Sequence, residues 1–185
     1  MLGRYVEMLN AEATRQNLVA PSTLAAIWSR HIVDSAQLLD HAPQRWENWV
    51  DVGSGAGLPG LVIGILNTSP VTLIEPRRLR TEFLRTCATA LGLDHVSVLQ
   101  AKAETAPLSA PATIVSARAV ASLDNLLRGA ARFTDKATRY ILPKGQSAQS
   151  EVAQARRSWH GTFHVEQSIV DPASGIVIAS GIDPR

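Results

Sequence analysis

The stretch Asp51-Val52-Gly53-Ser54-Gly55-Ala56-Gly57-Leu58-Pro59-Gly60 constrains the fold of this chain more than any other. It follows directly on a short β-type run, Trp49 to Val52, and opens a helical stretch, Leu58 to Leu66. Glycine lets the backbone turn tightly and approach a ligand closely, because no β-carbon stands in the way. The helix beyond presents free amide groups and the positive end of its dipole. A strand, a glycine turn and a helix in that order place a nucleotide-like ligand at the carboxyl edge of a parallel sheet.

The rest of the chain repeats the alternation. β-type runs at Val71 to Glu75, Val96 to Gln100, Ala112 to Ser116 and Tyr140 to Leu142 are separated by helical stretches at Arg77 to Leu91, Ser122 to Phe133 and Gln146 to Trp159. Each helical stretch is long enough to cross back over a sheet, which predicts an α/β fold with mostly parallel strands and helices on both faces. The tail differs: Phe163 to Val170 and Ile176 to Ala179 flank the turn Asp171-Pro172-Ala173-Ser174-Gly175, predicting a hairpin that closes a seven-stranded sheet with an antiparallel strand. Upstream, Tyr5, Met8 and Leu9, then Leu24, Ile27, Trp28 and Ile32, fall at helical spacing broken near Pro21. Two helices follow, the second capped by Ser22. The expected division is an N-terminal helical extension over residues 1–45 and the sheet domain over 46–185.

Composition bounds the rest. With 185 residues, 45% hydrophobic and 18% charged, the chain suits one soluble domain. The single cysteine, Cys87, can form neither an internal disulfide nor a multi-thiolate metal site and suits a reducing compartment. The apolar run Leu61 to Leu66 falls far short of the ~20 residues of a membrane helix. Glu7 and Glu12 interrupt any signal peptide, so the expected location is the cytoplasm, without a membrane partner. The net charge is only +2, but residues 101–150 hold seven Lys or Arg (102, 118, 128, 132, 136, 139, 144) against three acids (104, 124, 135). This surplus is expected around the carboxyl edge of the sheet.

Two cofactors compete for the glycine turn. Gly55-Ala56-Gly57-Leu58-Pro59-Gly60 matches the dinucleotide pattern G-x-G-x-x-G, and Glu75 ends the next strand at ribose-binding distance, as in an NAD(P)-dependent dehydrogenase. The absence of Gly-Lys-Ser or Gly-Lys-Thr at the required spacing excludes a P-loop. Asp51, two places before Gly53, gives D-x-G-x-G-x-G, which resembles Rossmann-like class I S-adenosylmethionine-dependent methyltransferases. S-adenosylmethionine carries an ammonium and a sulfonium but no pyrophosphate, so an acid beneath the turn favours it and opposes a diphosphate. Glu75 suits ribose hydroxyls, or alternatively the amino end of the following helix. Ala103 and Glu104 follow the third strand, where a backbone group and a carboxylate can read an adenine edge. Arg118, after the fourth strand, suits a methionine carboxylate or an RNA phosphate, unless it is spent in a rim salt bridge. Lys144 brings a second cation to the same edge.

Taken together, these residues resemble the RsmG (GidB) family of ribosomal RNA small-subunit guanine-N7 methyltransferases. The match runs through Asn17-Leu18-Val19, Arg30-His31-Ile32-Val33-Asp34-Ser35, Asp51 to Gly60, Ala103-Glu104, Ser116-Ala117-Arg118-Ala119 and Leu142-Pro143-Lys144-Gly145. The resemblance implies methyl transfer from S-adenosylmethionine to N7 of one guanine in 16S ribosomal RNA near the decoding centre. It implies cofactor contacts at Gly53, Leu58, Ala103, Glu104 and Arg118, to which the turn adds Gly55 and the second strand Glu75. Against the family pattern the amino terminus begins late, and Glu75-Pro76-Arg77 is one of several variants.

Guanine N7 carries an unprotonated in-plane lone pair at neutral pH, so no general base is required and alignment supplies most of the catalysis. Arg118 and Lys144 are the expected positioning cations; Arg30, His31 and Lys144 are the candidates for contact with 16S rRNA or the small subunit. Arg30 and Asp34 are spaced to pair at i and i+4, with His31 ordering that helix or positioning RNA. No metal is expected: His160 and His164 should lie on a surface turn around Gly161. Cys87 sits within a helix, so a pyrimidine C5 mechanism lacks its nucleophile. Trp46 and Trp49 flank the first strand as core or interface residues. A monomer is the expected state, and a catalytically inactive RNA-binding or ribosome-assembly module is the other rival.

Overall fold

Short runs of Val, Ile and Leu form strands buried on both sides, which requires helices on both faces of the sheet. In the computed structural model, which describes residues 1–185, β1 (Trp49–Val52), β2 (Val71–Ile74) and β4 (Ile114–Ala117) have no exposed residue. β3 (Val96–Leu99), β5 (Arg139–Gly145), β6 (Trp159–Gln167) and β7 (Gly175–Pro184) complete one sheet in the order β3-β2-β1-β4-β5-β7-β6. Strands β1 to β5 run parallel, while β7 is antiparallel to both β5 and β6. The expected mostly parallel, seven-stranded architecture and its C-terminal hairpin are therefore present.

Alternation along β1 divides the core. Trp49 faces one layer with Tyr5, Leu9, Ile32, Leu61, Leu73 and Leu84, whereas Val50 and Val52 face the other with Leu123, Leu126, Phe133, Tyr140 and Val152. Helices α1 (Leu2–Ala13), α3 (Gly60–Leu66) and α4 (Arg78–Ala90) serve the first layer; α5 (Leu123–Ala130) and α6 (Ala148–Ala155) serve the second. Residues of the N-terminal 45, among them Tyr5, Ile27, Ile32 and Leu38, thus share one apolar cluster with the sheet. Trp46 and Trp49 pack edge to face in that layer, 5.2 Å apart, as core residues.

Four local expectations fail for identifiable reasons. The second N-terminal helix is not regular: Pro21–Ala26 form a 3-10 helix, Trp28–Val33 a π turn, α2 (Asp34–Ala36) a single α turn and Gln37–His41 another 3-10 helix. Ser22 does not cap it, because Pro21 itself opens the first turn and Ala20 occupies the cap position. The wider π turn takes Arg30 out of i,i+4 register, and Asp34 pairs instead with Arg118. Finally, α6 ends at Ala155 and Trp159 opens β6, so His160 and His164 lie exposed on an edge strand, with the register shifting between His160 and Thr162. No group of potential ligands suited to a metal ion exists in the chain, and no helix is long and apolar enough to cross a membrane.

The start of α3 is packed without slack. A β-carbon at Gly60 would overlap Leu73 Cδ2 and lie 2.5 Å from Asp51 Cβ. Gly60→Ala is therefore expected to cost about 1–3 kcal/mol of stability through overpacking. Urea denaturation checks this, and a midpoint equal to that of the unsubstituted protein would contradict it.

Candidate functional site

The glycine turn is bound from several sides. Gly53 and Ser54 donate their amides to the Ile74 carbonyl at 2.8 and 3.1 Å, joining the turn to the end of β2. The Tyr5 hydroxyl donates to the Ala56 carbonyl at 2.8 Å, so α1 forms part of the turn's support. The Gly55 amide donates to Glu75 Oε2 at 2.9 Å, and the Gly60 amide to Asp51 Oδ2 at 3.2 Å. Gly55 has a left-handed backbone (φ 56°), and a β-carbon there would meet nothing closer than 3.7 Å. Its glycine leaves one side of the turn open to a ligand.

Asp51 is fully buried beneath this turn. Its Oδ1 accepts from Ser116 Oγ at 2.6 Å, and Ser116 Oγ in turn accepts from Trp49 Nε1 at 2.8 Å. Burial pushes the Asp51 carboxyl up to about 6, while hydrogen bonds from Ser116 and Gly60 oppose the shift. Its carboxylate thus acts on the turn from below through bonds to the protein. Glu75 is also buried, and its Oε1 accepts from the Arg77 amide at 2.9 Å. Of its two sequence readings, the structure displays the bond at the start of α4 and adds the one to Gly55; each oxygen keeps a second lone pair.

Two cavities meet at the carboxyl edge. A cleft of about 160 Å³ is lined by Gly53, Gly55, Leu58 and Arg118, with Leu18 and Arg80. A cavity of about 620 Å³ lies beside it, lined among others by Asp34, Arg118, Lys144 and Glu151. Arg118 and Ala119 belong to both walls. Ala119 holds a left-handed backbone (φ 55°) without being glycine, a strained conformation of the kind that clusters at functional sites.

The predicted residues are brought together unevenly. Arg118 Nη1 pairs with Asp34 Oδ2 at 3.2 Å and also donates to the Arg30 carbonyl at 3.4 Å, so the rim salt bridge exists. Lys144, expected as a cation available to RNA, has an 8% exposed side chain and is engaged internally, 3.1 Å from Glu151 Oε2 and 2.6 Å from the Ala121 carbonyl. Glu151 also accepts from the Leu123 amide at the start of α5, which fixes this pair in the cavity wall. Ala103 and Glu104 form a 3-10 turn beside α5 and do not line the cleft; Arg132 donates to the Glu104 carbonyl at 2.8 Å. Arg30 is exposed. The basic surplus is dispersed: Lys136 pairs with Asp183, Arg128 pairs with Asp124 over the Trp159 ring, and Arg139 opens β5 at the opposite edge. Cys87 is buried in α4 with its thiol pushed up to about 12 by burial, which removes it as a nucleophile.

Arg80 and Tyr5 also belong to the site, and the sequence does not single them out. Arg80 reaches from the first turn of α4 to the cleft and donates to the Asn17 carbonyl at 3.0 Å. The run Arg77-Arg78-Leu79-Arg80 after Glu75 was the available signal. Tyr5 looked like one more apolar position, and only its hydroxyl distinguishes it.

The profile of the GidB family, described as rRNA small subunit methyltransferase G, matches residues 1–174. A protein of Sphingopyxis alaskensis named ribosomal RNA small subunit methyltransferase G is 50% identical over 96% of this chain and 76% of its own length. One of the same name from Rhizorhabdus wittichii is 46% identical over 100% and 86%. A crystal structure of a mutant of MtNAS in complex with S-adenosylmethionine superposes with a TM-score of 0.67 at 16% identity, covering 96% of this chain and 73% of that one. A putative S-adenosylmethionine-dependent methyltransferase of Methanococcus maripaludis superposes with a TM-score of 0.66 at 10% identity, covering 97% of this chain and 93% of that one, and the fold is the class I S-adenosylmethionine-dependent methyltransferase fold.

His31 stands behind Arg118. Its Nε2 lies 2.8 Å from Thr23 Oγ1, consistent with a part in ordering the irregular N-terminal segment. Burial, then the charges of Arg118 and Arg30, lower its pKa from 6.5 to about 4. The folded protein therefore keeps His31 neutral where the unfolded chain protonates, so its stabilising contribution is full above 6.5 and is lost as pH falls toward 4. Asp51 runs the other way, since its raised pKa favours the folded state at low pH and that contribution is lost as pH rises through about 6. His31→Gln is expected to flatten the loss of stability below pH 6.5, read from urea midpoints between pH 7 and 4. Parallel pH profiles for the two proteins would contradict this.

Proposed function

The chain belongs to the GidB family, rRNA small subunit methyltransferase G, and on that premise we propose that it transfers a methyl group from S-adenosylmethionine to N7 of one guanine in 16S ribosomal RNA. Family membership sets aside the dehydrogenase alternative. The observation that carries the reading further is the adjacency of the two cavities, which share Arg118 and Ala119. A cleft against a glycine turn suits the cofactor. The neighbouring 620 Å³ is within the range of roughly 300–1,000 Å³ typical of ligand sites and suits the base.

The residues present fit S-adenosylmethionine. The open side of Gly55 admits its backbone-like end, Arg118 offers a guanidinium to its carboxylate, and Glu75, at the end of β2, keeps lone pairs for ribose hydroxyls. Gly53 and Leu58 line the same cleft; Ala103 and Glu104, on the 3-10 turn after β3 and outside the cleft, are the proposed contacts for the adenine. When bound, the cofactor supplies an electrophilic methyl on sulfonium. The protein's task is alignment, because N7 needs no deprotonation. Arg118 holds position between the two cavities, and its pairing with Asp34 keeps it there. Lys144 acts by fixing Glu151, not by offering a free charge. Both acids line the base cavity, each paired with a cation of the same wall, so the wall is held in place by charges that balance. Arg30 and His31 border this edge and are the remaining candidates for RNA contact. The working form we propose is a cytoplasmic monomer acting on 16S rRNA within or on its way to the small subunit.

Three measurements test this. Radiolabelled methyl transfer to small subunits lacking the modification should give one labelled N7-methylguanine, whereas cofactor binding without transfer would favour an inactive RNA-binding module. S-adenosylmethionine, and not NAD, should raise the melting temperature. Arg118→Ala should weaken cofactor binding or turnover at least about tenfold, as expected for loss of hydrogen bonds to a charged partner; unchanged values of both would refute its assignment.

A further inference from the structure

Gln37 is 4% exposed, an unusual place for a glutamine. Its amide orientation is fixed by its partners: Nε2 lies 2.8 Å from Asp34 Oδ1, 3.2 Å from the Asp34 carbonyl and 3.1 Å from Ser168 Oγ, while Oε1 accepts from the Ile169 amide at 3.0 Å. Ser168 gathers the turn around it. Its Oγ accepts from the Val170 amide at 3.1 Å and its own amide donates to the Ser174 carbonyl at 3.0 Å. The connection between β6 and β7 is thus hung from one side chain 131 residues earlier in the chain.

That turn is a wall of the base cavity. Ser168 and Ser174 line it on one side, and Asp34 and Arg118 on another. Asp34 bonds both Gln37 and Arg118, so a single carboxylate joins the two walls. Ile169, 72% exposed, rides on the turn, and Val120, 46% exposed, lines the cavity; apolar side chains at such an opening suit the faces of an unstacked base. Gln37 makes no hydrogen bond to the glycine turn.

Resting on the methyl-transfer reading above, we propose that Gln37 is a positioning residue for the RNA substrate: it sets the separation between turn 168–174 and the Arg118–Asp34 pair, and hence the width of the cavity the target guanine enters. Loss of Gln37 loosens the far wall and leaves the cofactor cleft intact, because Asp34 still pairs with Arg118. The test is steady-state methyl transfer to unmodified small subunits, together with S-adenosylmethionine affinity by calorimetry. Gln37→Leu should lower kcat/KM for subunits about tenfold or more with the cofactor Kd held within about twofold. Asp34→Asn, which touches both walls, should weaken both. Ser168→Ala retains the Gln37–Asp34 bond and loosens only the turn, and it should show the same selective loss even if Gln37→Leu does not fold. Unchanged subunit kinetics in the soluble variants, or equal losses in both measurements for Gln37→Leu, would overturn the proposal. Absence of transfer by the unsubstituted protein would instead overturn the reading on which it rests, and the proposal with it.

Discussion

The buried carboxylate of Asp51 is the constraint on which the site depends. It receives Ser116 from β4 through Oδ1 and the Gly60 amide from the start of α3 through Oδ2, while Trp49 of β1 reaches the same network through Ser116. A charged group in this position is costly unless its lone pairs are filled, and here a hydroxyl from one strand and an amide from a helix donate to it directly, with the indole of a second strand behind the hydroxyl. The glycine turn is what connects these elements, so its path is set by the need to satisfy one carboxylate.

Two more side chains restrain the turn. Glu75 holds the Gly55 amide from β2, and Tyr5 holds the Ala56 carbonyl from α1. The N-terminal segment is therefore structural support for the cleft: its apolar residues enter the same core as Trp49 and Leu61, and its Asp34 holds Arg118. The adjoining cavity is framed by two ion pairs, Asp34–Arg118 and Glu151–Lys144, each also hydrogen-bonded to the backbone or to a neutral side chain. Partly buried pairs of this kind are of more use for holding geometry than for stability.

Most of the fold was legible because its signals are local. The runs at Trp49, Val71, Val96 and Ile114 are apolar and β-branched, and the glycine turn separates the first from its helix, so strand positions and their parallel sense followed from pattern alone. The Pro21–His41 segment reads in sequence as a regular helix because apolar spacing does not distinguish a 3.6-residue turn from the 3-10 and π turns that tertiary packing imposes. The Gln146–Trp159 stretch was overextended for a related reason: Trp159 has the spacing to cover a helix, but its ring packs against the second core from a strand and its Nε1 donates to Asp124.

The sequence by itself determined the glycine turn, the alternation of strand and helix, the antiparallel closing hairpin and the presence of Arg118 and Glu75 at the carboxyl edge. These depend on residue type and near-neighbour spacing. Only the tertiary structure decided what each charge does. Arg118 meets Asp34, 84 residues away; Lys144 is turned inward to Glu151; and a surplus of cations in residues 101–150 is scattered over several faces. Pairing between residues far apart in the chain is set by where the sheet places their backbones, and no local periodicity carries that information.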